Sequence, residues 1–597
     1  MRGGAPDPVR EEMNGGGRGG SEHGEVGNPG PPVHRWVWVV VSCMALPTLV
    51  FVSGVHRLPV AVVPYLSGDV QSQRHVSEDG GRLREASQRR QRVARNGPQE
   101  DGELAPPRVA SDPLPRDSLA AGGFDSESCL SRQEISLYRD KPPPWEPSSH
   151  LLQRLREYEA RHKLCAPNTE LYNETLSLLL RPGRPTTSGD PPPACKYLVW
   201  SPRDGLGNRM LSLASTFAYA LLTRRVLLID RSKDMADLFC EPFPETTWLL
   251  PPDHPLAPFY VFDKSYPQRY GKVLIGNKKR IPAFVYLHLA HDYTDDDKRF
   301  FCDPSGEEEE EEGSSPLHAI PWVVVRSNQY FIPALFLNPA FENELHRLFP
   351  EKEAVFHLLS RYLFHPTNAV WGLITRYYRA YLAMAEEKVG IQIRVFDNRA
   401  APFDVVLKQI LNCTLREKLL PEVTSTTRRP GVVSSGAGER TPTKSVLLTS
   451  LSSGYFERIK DMYWEHPAAG GGVVVRVHQP SHEEWQQTDS GGHDRKALAE
   501  MYLLGLSDAL VTTAGSTFGY VAQALAGVRP RVMAAPAGGG VPEPACVRAA
   551  SAEPCFQYPP SYDCRAGRRG DLGKVAPYVR HCEDVNWGLQ LVERSQG

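Results

Sequence analysis

The sequence has almost no excess charge of either sign. Its 68 Lys and Arg residues and 70 Asp and Glu residues leave a formal net charge of −2 over 597 residues. It also lacks zinc-finger spacing, an RNA-binding motif, an evident repeat and, beyond the N-terminal tail, a basic stripe, so it gives no support to a nucleic-acid partner. At 41% hydrophobic and 23% charged residues, the chain is typical of a globular protein with some disordered length.

One long uncharged segment lies near the N-terminus. Residues 36–55 (WVWVVVSCMALPTLVFVSGV) hold no charged side chain over 20 positions, which is enough for one helix to cross a bilayer. A cleaved signal peptide is the alternative, but the polar stretch before the segment is long and no A-x-A site follows it. We predict a disordered cytosolic tail at 1–35, a transmembrane signal anchor at 36–55 and a flexible stem at 56–120.

Cysteine is absent from the tail and the stem and recurs downstream. Ten of the eleven cysteines follow the apolar segment, and the last four are spaced by 9, 9 and 18 residues, which fits no tetrahedral zinc site. Up to five disulfides in an oxidising compartment is the simpler interpretation; buried, reduced cysteines of a cytosolic enzyme are the alternative. Sequons at Asn173 and Asn412 predict glycosylation of the same region. Together these features predict a type II protein with a lumenal catalytic region.

Short apolar strands alternate with helical stretches from residue 195 onward. A strand (196–201), a Gly-rich loop, a helix (208–225) and a second strand (226–230) form a β-loop-α-β unit. Further strands are predicted at 322–327, 389–396, 445–451, 472–479 and 508–513, and further helices at 148–165, 493–507 and 516–527. This alternation indicates parallel sheets with helices on both faces.

The strands are too many for one small sheet. We therefore predict an α/β protein with two Rossmann-like, doubly wound domains, at 121–385 and 386–597. The acidic run 307–312 and the Ser/Thr/Gly/Pro-rich stretch 424–444 are predicted to be solvated loop insertions.

Anion-binding groups follow strands at three places, where open α/β folds bind ligands. In the loop 205–209, Gly205 and Gly207 allow close backbone approach and Asn208 and Arg209 add donors, although a tight turn is the alternative. Ser516, Thr517 and Phe518 open a helix whose hydroxyls and free N–H groups suit phosphate; an N-cap by Ser516 is the other interpretation.

The third place is Arg394, in the apolar stretch VGIQIRVF (389–396). A planar guanidinium suits phosphate oxygens, and a structural pair with Asp397 or Asp404 is the alternative. The three places together predict a phosphate-rich ligand held between two sheets.

Two carboxylate features offer other chemistry. The run Asp295–Asp297 satisfies D-x-D, which chelates a divalent ion on a diphosphate in metal-dependent transferases, but its charged flanks favour a solvated loop. We predict no metal site. Asp230 ends the stretch VLLID and is a positional candidate for a general base, although capping the next turn is the plainer role.

The chain resembles the plant xyloglucan fucosyltransferase family of cell-wall glycosyltransferases. The resemblance is carried by stretches such as GFDSESCLSR, SPRDGLGNRMLSLASTFAYALLT, VGIQIRVF, KALAEMYLLGLSDALVTTAGSTFGYVAQALAG and VRHCED, which run from about 123 to 590 in the family's order. It implies a Golgi type II membrane enzyme with a two-Rossmann (GT-B) fold. It also implies GDP-fucose as donor, inversion at the anomeric carbon and no metal or other cofactor. The implied acceptor is a plant cell-wall glycan, either xyloglucan galactose or arabinogalactan arabinose.

Carried onto this chain, the resemblance implies that Arg394 binds the β-phosphate of the donor. Gly207, Asn208 and Arg209 would lie beside the diphosphate, and Ser516, Thr517 and Phe518 would complete the nucleotide pocket. Asn328 matches a position near the acceptor where at least one relative carries Asp, so an amide here replaces a proton acceptor. This departure opens the alternative of an inactive or non-catalytic glycan-binding member, and the sequence leaves the oligomeric state, a homodimer included, undecided.

Overall fold

The computed structural model describes residues 119–120, 122–180, 193–232, 235–276, 282–304, 316–424, 441–469, 472–487, 490–536 and 539–593. The predicted tail, the anchor and the stem up to residue 118 lie outside these residues, as do the acidic run 307–312 and residues 425–440. Among the described residues, no helix is long and apolar enough to cross a membrane. All of them belong to a single unit that begins at residue 107, and the predicted domain boundary at 385/386 stays a prediction.

The first sheet has four parallel strands in the order β2-β1-β4-β3. They are β1 (Tyr197–Ser201), β2 (Val226–Ile229), β3 (Phe284–Leu289) and β4 (Trp322–Ser327). Register aligns Tyr197 with Val226 on one side and with Trp322 on the other. Alternate side chains of these strands enter two different apolar clusters, so both faces are buried, as near-continuous apolar strands require.

Twelve helices among the described residues surround this sheet or lead to the next. They are α1 (Leu130–Glu134), α2 (Ser149–Leu164), α3 (Glu170–Leu179), α4 (Leu206–Thr223), α5 (Met235–Leu238), α6 (Tyr270–Gly276), α7 (Asp295–Lys298), α8 (Pro316–Ala319), α9 (Ile332–Phe336), α10 (Pro339–Leu348), α11 (Val355–Leu363) and α12 (Asn368–Tyr377). Ser148 caps α2 by accepting a hydrogen bond from the backbone N–H of Leu151 at 3.0 Å.

The Asp295–Asp297 run forms α7, so the prediction of a solvated loop there is wrong. Thr294 and Asp297 make a capping box, in which the Asp297 carboxylate accepts from the backbone N–H of Thr294 at 3.0 Å. Asp297 is buried and also pairs with Arg269, with 3.2 Å between Oδ1 and Nε. Thr294, which stands directly before the acidic run, is the capping signal that the sequence reasoning missed.

The second sheet has six strands in the order β10-β9-β8-β5-β6-β7, parallel except for β10. They are β5 (Glu387–Ile393), β6 (Thr443–Ser450), β7 (Val474–His478), β8 (Ala509–Thr513), β9 (Arg531–Met533) and β10 (Val547–Arg548). Its helices are α13 (Phe403–Arg416), α14 (Ser453–Glu465), α15 (Gly491–Gly505) and α16 (Thr517–Ala526). Two hairpins follow: β11 (Tyr562–Asp563) with β12 (Arg568–Arg569), and β13 (Val579–His581) with β14 (Leu589–Leu591).

Several strand limits differ from the sequence predictions by one to three residues, and two of these differences matter for the predicted features. β5 ends at Ile393, so Arg394 follows the strand instead of lying within it. β6 begins at Thr443, so the last two residues of the predicted loop insertion 424–444 are strand.

A shared core joins the two sheets. Met210 and Phe217 of α4 belong to the same apolar cluster as Leu498 of α15 and Tyr520 of α16. Since α4 follows β1 and α16 follows β8, this packing brings the carboxyl ends of the two sheets together.

Five disulfides cross-link the described residues, as predicted for an oxidising compartment. They are Cys129–Cys240, Cys165–Cys195, Cys302–Cys564, Cys413–Cys546 and Cys555–Cys582. All ten cysteines after Cys43 are therefore paired. Asn173 on α3 and Asn412 on α13 are exposed, and their glycosylation stays a prediction.

Candidate functional site

A cavity of about 280 Å³ lies at the carboxyl ends of the two sheets. All three predicted anion-binding stretches reach it. The predicted residues that line it are Gly205, Gly207, Asn208, Arg394, Ser516, Thr517 and Phe518. The strand-end rule therefore places these stretches correctly, although they are up to about three hundred residues apart in the sequence.

Arg394 presents its guanidinium to this cavity. Its backbone N–H donates to Thr513 Oγ1 at 3.0 Å, which fixes the chain at the end of β5 to the end of β8. Its Nη2 donates to Gln486 Oε1 at 3.0 Å, and the guanidinium carbon lies 5.2 Å from the centre of the Phe396 ring. Burial lowers the pKa of Arg394 from its ordinary value.

No carboxylate among the described residues forms an ion pair with Arg394, so the predicted alternative of a pair with Asp397 or Asp404 is not what the structure shows. A half-buried cation that faces a cavity and contacts only an amide and a ring is suited to an anionic ligand.

The loop 205–209 is more than a tight turn, because it touches the second sheet. Asn208 Oδ1 accepts a hydrogen bond from Thr517 Oγ1 at 3.0 Å, and Asn208 Nδ2 donates to the Asn328 carbonyl at 3.0 Å. A Cβ at Gly207 would lie 2.8 Å from the Thr517 carbonyl carbon, so only glycine permits this approach. The N-termini of α4 and α16 therefore meet at the cavity.

Arg209 does not line the cavity. Its fully buried Nη2 lies 2.6 Å from Oδ2 of Asp494, a residue of α15 that does. The structure thus shows an ion pair that ties α4 to α15, and the predicted contact of Arg209 with the diphosphate stays a prediction.

Ser516 is the N-cap of α16, as the second interpretation of the sequence has it. Its hydroxyl accepts a hydrogen bond from the Gly519 N–H at 3.5 Å, and the same residue lines the cavity. The preceding Gly515 has a left-handed φ of +69°, which favours glycine at this position. The Gly515 N–H donates to Asp584 Oδ2 at 2.9 Å and its carbonyl accepts from Gln557 Nε2 at 2.8 Å, so the turn is held from both sides.

Sequence reasoning missed several cavity residues, chiefly Gln486 and Glu500. Glu500 is buried on α15 and accepts from the Ser481 backbone N–H at 3.0 Å and its hydroxyl at 2.6 Å. Burial raises the pKa of Glu500 to about 7, against the opposing effect of the Ser481 hydrogen bonds. The sequence signal for Glu500 was a single carboxylate in the apolar stretch ALAEMYLLG. Gln486 lies in a polar loop, where no such signal marks it.

Asn328 directly follows β4 of the first sheet and lies at the centre of a cluster of polar residues. Its Nδ2 donates to Asp204 and to His291 Nδ1, the latter at 2.7 Å. Its Oδ1 accepts hydrogen bonds from the backbone N–H of His291 at 3.1 Å and from Gln329 Nε2 at 2.7 Å. Through Asn208, this cluster is attached directly to the cavity wall.

Asp230 performs the capping role that the sequence also suggested. Its carboxylate accepts from the Ser232 N–H at 3.1 Å and the Ser232 hydroxyl at 2.8 Å, and Ser201 Oγ lies 3.5 Å away. These bonds stabilise the turn after β2.

Two α/β sheets, parallel except for β10, meet at their carboxyl ends around a cavity, which is where open α/β folds bind ligands. The likeness to a solved fucosyltransferase structure shows that this is an α/β glycosyltransferase fold. Residues 98–565 match the sequence model of the xyloglucan fucosyltransferase family. The chain belongs to this family and is a fucosyltransferase.

Three similar proteins support this assignment. The chain is 53% identical over 481 residues to a galactoside 2-alpha-L-fucosyltransferase of Pisum sativum, covering 80% of this chain and 81% of that one. It is 51% identical over 478 residues to a protein of the same name from Arabidopsis thaliana, covering 79% and 82%. The solved structure of a single-residue variant of Arabidopsis thaliana FUT1 in complex with GDP matches with a TM-score of 0.71 and 49% identity, over 81% of this chain and 100% of that one.

Proposed function

We propose that this protein transfers L-fucose from GDP-fucose to a plant cell-wall glycan, with inversion and without a metal ion. The observation that carries the proposal is Arg394, a half-buried guanidinium at the cavity with no carboxylate partner among the described residues. The GDP complex of the similar FUT1 structure supports a guanosine diphosphate donor.

The residues of the cavity suit this reaction. Breaking the fucosyl–phosphate bond builds negative charge on the diphosphate, and prearranged cations and N–H dipoles stabilise such charge. Arg394 supplies a fixed cation. The N-termini of α4 and α16, which converge at Gly207 and Thr517, supply backbone N–H groups at positive dipole ends.

The acceptor and the location are part of the same proposal. The names of the two similar plant enzymes support a galactoside acceptor, such as the galactose of xyloglucan, with arabinogalactan arabinose as the second choice. Five disulfides support an oxidising lumen, and we propose a single-pass type II protein of the Golgi membrane.

The test is GDP release by the purified full chain from GDP-fucose, with EDTA throughout, against a panel of defucosylated wall glycans. We expect turnover on galactose-terminated xyloglucan, its loss in Arg394→Ala and its persistence in Arg399→Ala, a control on the same loop that does not line the cavity. Activity that EDTA abolishes would contradict metal independence. A chain that binds no GDP would refute the proposed donor.

The alternative, a glycan-binding family member without transferase activity, rests on the amide at Asn328. That alternative predicts GDP binding with no turnover on any acceptor. A search for glycan binding on the same panel would then be the next measurement.

A further inference from the structure

Transfer of a sugar to a hydroxyl group releases a proton, and the described cavity residues offer no free carboxylate to take it. Asp494 is held by Arg209 and Glu500 accepts two hydrogen bonds from Ser481. Glu483 pairs with Lys496. The carboxylates that follow the strands of the first sheet are the remaining candidates for a proton acceptor.

Three carboxylates follow the strands of this sheet, and Asp204 is the most exposed of them. Asp230 caps the turn that contains Ser232. Asp292 Oδ1 lies 3.0 Å from His288 Nε2 and 3.1 Å from Arg203 Nη1. The third is Asp204, whose side chain is 43% exposed.

Asp204 stands directly before Gly205, which lines the cavity. Its backbone has a φ of +62°, a left-handed conformation that only a few non-glycine residues adopt readily. One carboxylate oxygen, Oδ2, accepts from Asn328 Nδ2. The other, Oδ1, lies 4.0 Å from Arg203 Nε, which is beyond hydrogen-bond distance, on an exposed side chain next to the cavity residue Gly205.

The amide of Asn328 fixes this arrangement. Two donors, the backbone N–H of His291 and Nε2 of Gln329, hydrogen-bond to the amide oxygen of Asn328 and so fix the orientation of the amide. Its Nδ2 must then donate, and it does so to Asp204 and to His291 Nδ1. The ring nitrogen of His291 that faces Asn328 is thus an acceptor already in use, whereas Asp204 Oδ1 accepts no hydrogen bond from the described residues.

We propose that Asp204 is the general base of the reaction and that Asn328 is the residue that positions it. The inference rests on the proposed function. The acceptor O–H bond breaks and its proton goes to Asp204 Oδ1. The acceptor oxygen bonds to the anomeric carbon of fucose, and the electron pair of the broken carbon–oxygen bond leaves with GDP. An amide at 328 is then a working part of the site.

Asp204→Asn is the direct test, because asparagine tolerates a left-handed φ and keeps the shape of the side chain. Removing a general base typically lowers the rate by about 10²–10⁴-fold. We expect that fall in kcat for the full chain with GDP-fucose and galactose-terminated xyloglucan, while the Kd for GDP stays within about twofold. Asp230→Asn is the matched control, a carboxylate on the same sheet edge that should leave kcat unchanged.

Asp204→Gly also removes the carboxylate and suits the left-handed conformation. A similar fall in kcat in this variant would show that the loss in Asp204→Asn is not caused by the new amide. Asn328→Ala tests the positioning role. It should lower kcat in the wild-type background but cause no further loss in the Asp204→Asn background. A residue with a merely structural role would lower kcat in both backgrounds. His291→Ala should lose less activity than Asp204→Asn.

The outcomes separate the two proposals. Unchanged kcat in both Asp204 variants, or loss only in His291→Ala, would overturn the assignment of Asp204 while leaving the proposed function intact. GDP release is measured without acceptor as well, so that water serves as acceptor. A wild type that releases no GDP under either condition would refute the proposed function, and the base assignment with it.

Discussion

Two arginines that the sequence treats alike occupy opposite kinds of region. Arg209 lies in the interior between α4 and α15, fully buried and 2.6 Å from a carboxylate. Arg394 lies at the cavity, half-buried, and its side chain hydrogen-bonds only to Gln486 among the described residues. A buried charge must be paired because desolvation is costly, whereas a charge that awaits an anion must be left unpaired. A structural arginine is therefore distinguished from a ligand-binding arginine by whether a carboxylate pairs with it, more than by how deeply it is buried.

The largest expected effect is on stability, from Arg209→Met. It removes the arginine that pairs with the buried carboxylate of Asp494, and breaking a buried ion pair in this way typically costs about 3–5 kcal/mol. Urea denaturation should show this loss in the free energy of unfolding. The double variant Arg209→Met/Asp494→Leu should recover most of it, since an apolar pair replaces the ion pair. A loss of under about 1 kcal/mol in the single variant would mean that Asp494 is solvated or protonated.

Arg394 should show the reverse pattern. Arg394→Ala should lower kcat/KM by about 100–1,000-fold, equivalent to about 3–4 kcal/mol of barrier, with the free energy of unfolding within about 0.5 kcal/mol of wild type. Arg394→Lys keeps the charge but loses the planar fork, so it should restore activity only in part. Full activity in the lysine variant would show that charge alone is needed.

The comparison also shows what the sequence could reveal. Apolar runs such as VVVR and VLLT predicted the parallel strands, and the rule that ligands bind at strand ends predicted where the site is. β3 was missed because its FVYLHL run mixes apolar residues with His288, which is fully buried. Among the consecutive helices between Ile332 and Tyr377, Ile332–Phe336 is buried throughout and has no apolar stripe. Pro339–Leu348 does carry a stripe, formed by Phe341, Leu345 and Leu348, and the sequence reasoning overlooked it.

Long-range partners were beyond the sequence. Asn208 and Arg209 are neighbours, but successive helical side chains point about 100° apart, so one faces the cavity and the other the interior. The partner of Arg209 is 285 positions away, and no spacing pattern announces such a pair. Asp204 escaped notice for the same reason, since its link to Asn328 spans 124 positions.

Glu500 provides a pH-dependent test on the same helix as Asp494. Its pKa in the folded protein is about 7, raised by burial above the ordinary value for Glu. The folded state therefore binds this proton more tightly than the unfolded state. That contribution to stability is complete below about pH 4 and is lost as the pH rises through 7.

Glu500→Gln removes this titration while keeping an acceptor for Ser481. The free energy of unfolding of the variant, relative to wild type, should rise by about 2–3 kcal/mol between pH 5 and pH 8. Urea titrations at several pH values would measure it. A difference that is flat over this range would show that Glu500 has an ordinary pKa and is already charged at pH 5.

The smallest expected effect comes from Ser516, which belongs to both regions because it caps α16 and lines the cavity. Ser516→Ala should cost about 1 kcal/mol of stability through the lost cap. Ser148→Ala is the matched control: another serine N-cap, on a helix that does not line the cavity, with a similar expected loss. If Ser516 also binds the diphosphate, only its variant should weaken GDP binding in calorimetry, and Ser516→Thr should restore it. Equal GDP affinity in both alanine variants would show that Ser516 has a structural role only, like the ion-paired Arg209.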